Sequence, residues 1–372
     1  MTVIFQGVIF VMSKKTVAVI FGGRSPEHDV SVTSAAGILQ NIDREKFNVV
    51  PVRISKSGVW TYLKNVEIPV SPDKLESDGP ELFLRNPSDP GFLIYENGSL
   101  EKLDMDVVFP VLHGPFGEDG TIQGMLQMSG IPFVGAGTAA SAIGMDKVLM
   151  KEIFLQENLP AVDFIWFLRK NWTKNRSVII NAVEKEIGYP CFVKPANAGS
   201  SIGISKVKSK EELDDAVEKA AMYDRKVLAE KAVNARELEC AVLGNDYPEA
   251  SVVGEIIPGN EFYDYDAKYQ NKDSKTIAPA DITEEVSKRV QALAKKAFSA
   301  IDCAGMARVD FLFDSEKNEI FLNEINTIPG FTPISMYPVL WEKTGISYTD
   351  LITKLIELAF ERFEDLSRSI FV

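Results

Sequence analysis

The sequence predicts an α/β fold of two or three domains, and three observations support that expectation. With 372 residues, 45% of them hydrophobic and 25% charged, the chain has the composition of a globular protein with more than one core. Its first half alternates apolar runs with helical periodicity, the pattern of an open, mostly parallel sheet flanked by helices. Beyond Asp224 the pattern changes to closely spaced strands.

Residues 1-MTVIFQGVIFVM-12 are apolar, but no basic segment precedes them and Lys14 and Lys15 follow. They read as an extension ahead of an alternative start at Met12, not as a secretion signal. Next, 16-TVAVIFGGRSPEHDVS-31 reads as a buried strand, a glycine turn and the entrance to a helix at Val30 to Leu39. Strands recur at 48-NVVPVRI-54 and 106-DVVFPVLHG-114. Ligands of such sheets sit at the carboxyl ends of strands, so the loops GGRSPEH and LHGPFGEDG are candidate site walls. The run 135-GAGTAA-140 lacks the spacing and the acidic partner of a dinucleotide fingerprint, which argues against a dehydrogenase.

A helix is predicted over 144-GMDKVLMKEIFLQEN-158, then a strand at Phe164 to Leu168 and a second helix ending at Gly188-Tyr189-Pro190. After 191-CFVKPANAGSSIGISKV-207 a helix is expected at Ser209 to Met222, followed by strands at 226-KVLAEKAV-233, 236-RELECAVLG-244 and 250-ASVVGEIIP-258. The polar, aromatic loop 260-NEFYDYDAKYQNKDSKTIAP-279 is longer than a connector needs, as functional lids and disordered segments are. A hairpin at 306–326 and the amphipathic helix 348-YTDLITKLIELAFERF-363 close the chain, the helix suited to core packing or a subunit contact.

A formal net charge of −13 argues against nucleic acid or an anionic membrane as partner, although a few local lysines can still hold a small anion. Cys191, Cys240 and Cys303 are scattered and never form a C-x-x-C pair, which fits a reducing compartment. Only His28 and His113 could join them at a metal, so a zinc site is not expected. No apolar run approaches the roughly 18 residues needed to cross a bilayer, and a cytoplasmic location follows as the expectation.

In 306-MARVDFLFDSEKNEIFLNEIN-326 the strand period places Arg308 and Asp310 on one face and Val309, Phe311 and Phe313 on the other. On the return strand Glu324 and Asn326 share a face, with Phe321 and Ile325 opposite. Two carboxylates and an amide oxygen in close array suit a hard cation such as Mg²⁺ carrying nucleotide phosphates. The stretch 191–207 is not a Walker loop, because its lysine, Lys194, precedes the glycines. Backbone amides of 198-AGSSIGI-204 can still close over phosphates, with Lys194 and Lys147 supplying positive charge. Each of these residues alone is ordinary surface or turn chemistry; their combination points to phosphoryl transfer.

Seven motifs occur in one order: FGGRSPEHDVS, LHGPFGEDGTIQG, MDK, VKPANAGSSIGISKV, EFYDYDAKY, ARVDFLF and NEINTIPGFTPISMYP. In these the chain, from Lys15 to about Phe360, resembles the D-alanine:D-alanine ligases of the ATP-grasp superfamily. The resemblance implies an N-terminal open parallel α/β domain and two α+β domains gripping ATP. It divides the chain into the extension 1–12, an α/β substrate-binding domain 13–135, a central ATP-grasp domain 136–227 and a C-terminal domain 228–372 with lid and metal site.

The resemblance also implies roles. Lys147 and Lys194 match the lysines on the ATP phosphates, and Glu230, Lys231, Val233 and Glu237 match the other nucleotide contacts, Lys231 chiefly through its backbone. Asp310, Glu324 and Asn326 match the ligands of two Mg²⁺ (or Mn²⁺) ions. Glu27 matches the group that receives the ammonium of the first D-alanine, with Ser200 and Tyr269 as companions and His113 lining the same subsite. From the residues alone, Glu27 could equally cap the helix that follows. Lys268 matches a lid residue beside the transferred phosphate, Arg308 with the Gly330 amide the oxyanion hole, and Ser335 and Met336 the site of the second D-alanine's carboxylate. The implied product is the terminal dipeptide of peptidoglycan precursors, made by a homodimer. Tyr269 after the lid lysine goes with D-alanine as acceptor, so a D-lactate or D-serine ligase is the runner-up. A catalytically silent ATP-binding regulator is opposed by the intact set Lys268, Arg308, Asp310, Glu324 and Asn326. Pro26, Asp29 and Pro333 depart from the family pattern, and Pro333 bears on the acceptor pocket.

Overall fold

The computed structural model describes residues 2–5, 8–11, 13–67, 70–77, 79–257 and 275–369. Strands β1 (Thr2–Phe5) and β2 (Val8–Val11) form an antiparallel pair ahead of the first large sheet. That sheet comprises β3 (Lys15–Gly22), β4 (Phe47–Ile54), β5 (Trp60–Tyr62), β6 (Glu81–Leu84), β7 (Phe92–Glu96), β8 (Ser99–Leu103) and β9 (Val107–Val111), ordered β8-β7-β6-β5-β4-β3-β9. Helix α1 (His28–Asn41) follows β3 and α2 (Thr121–Met128) follows β9.

The sheet is mixed, which corrects the mostly parallel reading. Only β4, β3 and β9 run parallel, and β5 to β8 form an antiparallel meander on one edge. A parallel connection needs a dozen or more residues, whereas β7 and β8 are joined by Asn97-Gly98, both at positive φ. An Asn-Gly pair is the strongest short hairpin signal, and it stands in plain view at 95-YENGSL-100. The central strands are buried on both faces, as parallel strands are; Val17, Val19 and Phe21 are fully enclosed.

The second region contains helices α3 (Thr138–Met145) and α4 (Lys147–Gln156), then β10 (Phe164–Leu168), α5 (Arg169–Ala182), β11 (Cys191–Pro195), β12 (Ser205–Val207), α6 (Leu213–Tyr223) and β13 (Lys226–Lys231). Its strands form an antiparallel sheet in the order β10-β13-β11-β12. The single helix expected over 144–158 is broken at Asp146, whose side chain accepts hydrogen bonds from Val148 N (3.1 Å) and Leu149 N (3.2 Å). A carboxylate that satisfies two amides of a new first turn starts a new helix.

The third sheet contains β14 (Arg236–Gly244), β15 (Glu249–Ile257), β16 (Lys275–Ile277), β17 (Gly305–Asp314) and β18 (Glu319–Asn326), ordered β16-β15-β14-β17-β18 and antiparallel throughout. Helix α7 (Glu284–Ala300) covers one face of it with Val286, Val290, Ala294, Ala297 and Phe298. That spacing is amphipathic, and Thr283 caps the helix, a signal the sequence reading passed over. Helices α8 (Met336–Thr344) and α9 (Tyr348–Leu366) complete the fold. Leu351, Ile352, Leu355 and Ile356 of α9 share one core with Val17 and Phe21 of β3, so the last helix packs against the first large sheet.

Gly22 ends β3 at φ +89°, and a Cβ there would stand 2.2 Å from Ile54 O. Gly98 also has positive φ (+80°) but nothing lies within 4 Å of a Cβ. Gly22→Ala is therefore expected to lower unfolding free energy by about 3 kcal/mol or more and Gly98→Ala by about 1 kcal/mol, read by urea denaturation. Equal losses would contradict the backbone clash as the cause.

Candidate active site

Two glycine loops close around one carboxylate. Glu27 occupies the N-cap position of α1, but its side chain makes no capping hydrogen bond. The Ser200 hydroxyl donates to its Oε1 instead, which sets aside the capping alternative. A Cβ at Gly114 would stand 2.5 Å from Glu27 Oε2, and one at Gly199 2.9 Å, so a side chain at either position would displace the Glu27 carboxylate. Ser200 (φ 48°) and Ser201 (φ 57°) are held in the left-handed region, the kind of backbone strain that clusters at functional sites.

His113, at the end of β9, is buried beside this pocket. Its Nδ1 donates to Ile328 O (3.1 Å) and its Nε2 meets Ser34 Oγ (3.1 Å). Ser34 Oγ also accepts from Phe331 N (3.3 Å), so helix α1 links the histidine to the loop carrying Gly330. Burial alone would lower the His113 pKa; the Glu118 carboxylate, and next Glu27, hold it above its ordinary value. In the same loop Thr332 N donates to Ser335 Oγ (3.0 Å), and a Cβ at Gly330 would come within 3.0 Å of that oxygen. The Met336 side chain points away into the core against Gly254, which leaves its backbone at the start of α8 as the part facing the loop.

The positive charges come from α4 and the central sheet. β11 and β13 pair with Phe192 opposite Glu230, which places Phe192, Lys194 and Glu230 on one face. Lys194 Nζ is paired with Glu230 Oε1, while Lys151 Nζ, from α4, lies 3.3 Å from Glu230 Oε2. Burial would raise the Glu230 pKa, but Lys151 and Lys194 take it down to about 2. Lys147 Nζ donates to Ala198 O (2.8 Å) in the glycine loop and lies 3.6 Å from Glu324 Oε2. Asp146 anchors this corner: besides starting α4 it binds Lys226 and accepts from the Asn197 amide (3.3 Å).

The carboxylates come from the hairpin. Asp310 lies directly opposite Glu324, and Arg308 opposite Asn326. Arg308 forks onto Asp310 (2.7 and 2.6 Å) and lies 3.2 Å from Glu239 of β14. Burial would lower its pKa, but Asp310 and Glu239 hold it well above the usual value. One detail is corrected: a register shift leaves Asn323 as an extra residue between Leu322 and Glu324. Leu322 and Ile325 are therefore both buried and Phe321 is turned to the other face, although the carboxylates keep the face expected of them.

The structure thus brings together Glu27, His113, Ser200, Lys147, Lys194, Glu230, Arg308, Asp310, Glu324, Asn326, Gly330 and Ser335. Lys231 directs its ammonium outward, 3.8 Å from Asp163, Val233 follows the end of β13, and Glu237 lies in β14 of the third sheet. Lys268 and Tyr269 lie outside the described residues. The sequence reading missed Asp146, Lys151, Ser34, Glu118 and Glu239. Lys151 was accessible to it, four residues after Lys147 on one helix face, whereas Glu239 needed the strand pairing.

Comparison with known proteins gives the family. The family model for the D-ala D-ala ligase N-terminus matches residues 16–136, and that for the C-terminus matches residues 153–357. The chain belongs to the D-alanine–D-alanine ligase family. It is 49% identical to D-alanine–D-alanine ligase of Heliobacterium modesticaldum, covering 96% of this chain and 98% of that one. The enzyme of Acetivibrio thermocellus is 50% identical, with 95% and 97% covered. Among solved structures, the D-alanine-D-alanine ligase from Coxiella burnetii superposes with a TM-score of 0.82 at 34% identity, covering 95% of this chain and 96% of that one. The VanG D-Ala:D-Ser ligase from Enterococcus faecalis gives 0.83 at 38%, covering 93% and 100%. The fold is accordingly that of the ATP-grasp ligases, and among the described residues no helix is long and apolar enough to cross a membrane.

The depressed Glu230 carboxyl carries a pH dependence. Its contribution to stability is complete above the ordinary carboxyl value of 4.5 and is lost as pH falls toward about 2. Melting temperatures measured across that window should fall less steeply for Glu230→Gln than for the wild type, and identical slopes would show that Glu230 is not the titrating group.

Proposed function

We propose that the chain joins two D-alanines into D-alanyl-D-alanine at the expense of ATP. The observation that carries this reading is the convergence on one site of a glycine loop with its lysines, a carboxylate hairpin and the pocket carboxylate Glu27. Lys147, in reach of both Ala198 O (2.8 Å) and Glu324 (3.6 Å), ties the first two together.

A carboxylate is a poor acylating agent, so the first D-alanine must be activated. Its carboxylate oxygen attacks the γ-phosphorus, the bond to the bridging oxygen breaks, and ADP leaves with that electron pair. In this reading Glu27, oriented by Ser200, receives the substrate ammonium, and Lys147 and Lys194 offset the repulsion between two anions. The free amine of the second D-alanine then attacks the acyl carbon, and the resulting oxyanion is placed against Arg308 and the Gly330 amide. Collapse expels phosphate and leaves the amide, the amine having lost its proton. Ser335 and the amide end of α8 suit the acceptor's carboxylate, since a helix N-terminus favours an anion.

Asp310, Glu324 and Asn326 fit a hard divalent cation, Mg²⁺ or Mn²⁺, because they offer oxygen donors on one strand face with two carboxylates directly opposed. Such ions, when bound, would neutralise charge on the phosphates. Arg308, forked onto Asp310, offsets charge at the same face.

A D-serine or D-lactate acceptor is the second reading, favoured by the likeness to a D-Ala:D-Ser ligase. Purified protein with Mg·ATP and D-alanine is expected to release phosphate and yield D-alanyl-D-alanine by mass, with L-alanine inert. Preferential capture of D-serine or D-lactate in mixtures would favour the second reading, and no phosphate release with any of them would overturn both. Glu27→Gln is expected to raise the KM for the donor D-alanine about tenfold or more, the worth of a hydrogen bond to a charged group, while ATP affinity is retained.

A further inference from the structure

We propose that Lys151 is a positioning residue: it holds Glu230 from the core side and so frees Lys194 to turn toward the phosphates of the nucleotide. This rests on the nucleotide reading above and adds to it a residue that touches no substrate. Lys151 follows Lys147 by one turn of α4, its side chain is 1% exposed, and its Nζ lies 3.3 Å from Glu230 Oε2 and 6.0 Å from the centre of the Phe164 ring. Helix, sheet and ring enclose it on every side, so an entering ligand cannot reach it. Lys194, on the other Glu230 oxygen, stands at the cleft side with 10% of its side chain exposed.

Burying an ammonium is costly, and a methionine, one heavy atom shorter, would fill most of the space without that cost. The charge therefore calls for a use, and the geometry points to one. Opposite charges in a dry site attract strongly, so a Glu230 with one lysine would keep it. Drawing that lysine onto a polyphosphate would then leave a buried carboxylate bare beside an incoming polyanion. With Lys151 fixed on the far oxygen, Glu230 stays neutralised whichever way Lys194 points. The Phe192 ring lies 5.6 Å from Lys194 Nζ on the same sheet face.

The test is calorimetric titration of the full-length protein with ADP and with adenosine, which lacks phosphates. K151M is expected to weaken ADP binding by about tenfold or more, to leave adenosine binding within about twofold, and to raise the KM for ATP more than it lowers kcat. ADP binding unchanged in K151M, or adenosine binding lost in parallel with ADP, would overturn the proposal. Should K151M fail to fold, K151M/E230Q is compared with E230Q. Lys194 is already free once Glu230 is neutral, so equal ADP affinities support the proposal and a further loss overturns it. Wild-type protein that binds no ADP would overturn the nucleotide reading itself, an outcome distinct from K151M binding ADP normally.

Discussion

Lys147 stands where the glycine loop, the central sheet and the carboxylate hairpin meet, and the site depends on charges of both signs being held close together without collapsing onto one another. Within this corner Lys194 and Lys151 flank Glu230, Arg308 lies between Asp310 and Glu239, and Lys147 faces Glu324. Each pair is partly or wholly out of water, where attraction between opposite charges is strong and an unpaired charge is expensive. On the proposed reading these charges are preorganised for a ligand that is itself highly charged, the cations suiting phosphates and the carboxylates a metal.

The rest of the architecture supplies rigid supports for these charges. β17 and β18 carry the carboxylates at cross-strand positions, where side chains project in fixed directions from a paired backbone. Helix α4 presents Lys147 and Lys151 on one face, and Asp146 fixes where that face begins. The pocket around Glu27 is closed in a different way, by loops that approach its carboxylate so tightly that a Cβ at Gly114 or Gly199 would press against it. Helix α1 then connects the pocket to the loop carrying Gly330 through Ser34, while Tyr348 of α9 donates to Phe331 O on the other side of that loop. Gly37 permits the approach, since a Cβ there would lie 2.9 Å from the Tyr348 hydroxyl.

Much of this was legible in the sequence because it depends on short-range pattern. The period of two in 306–326 separated Asp310 and Glu324 from the buried residues, and the unusual position of Lys194 ahead of the glycines distinguished its loop from a Walker loop. Where pattern reading failed, longer-range packing was the reason. The bulge at Asn323 turned Phe321 over, because the buried pair Leu322 and Ile325 governs the register more strongly than strict alternation does. The antiparallel meander over 60–103 was overlooked because its strands are short and half-exposed, although its Asn-Gly turn was readable.

By itself the sequence determined the chemistry: which side chains are available, the order of the motifs, and hence the ligase family to which the chain belongs. Only the tertiary structure decided how those side chains are shared. That Glu27 pairs with Ser200 rather than capping α1, that Glu239 joins Arg308, and that the Met336 side chain faces the core all follow from contacts between segments tens to hundreds of residues apart. Local periodicity reports the face on which a residue lies, but not which distant element will cover that face. Burial settles that, because a charge removed from water keeps whatever partner the packing leaves within reach.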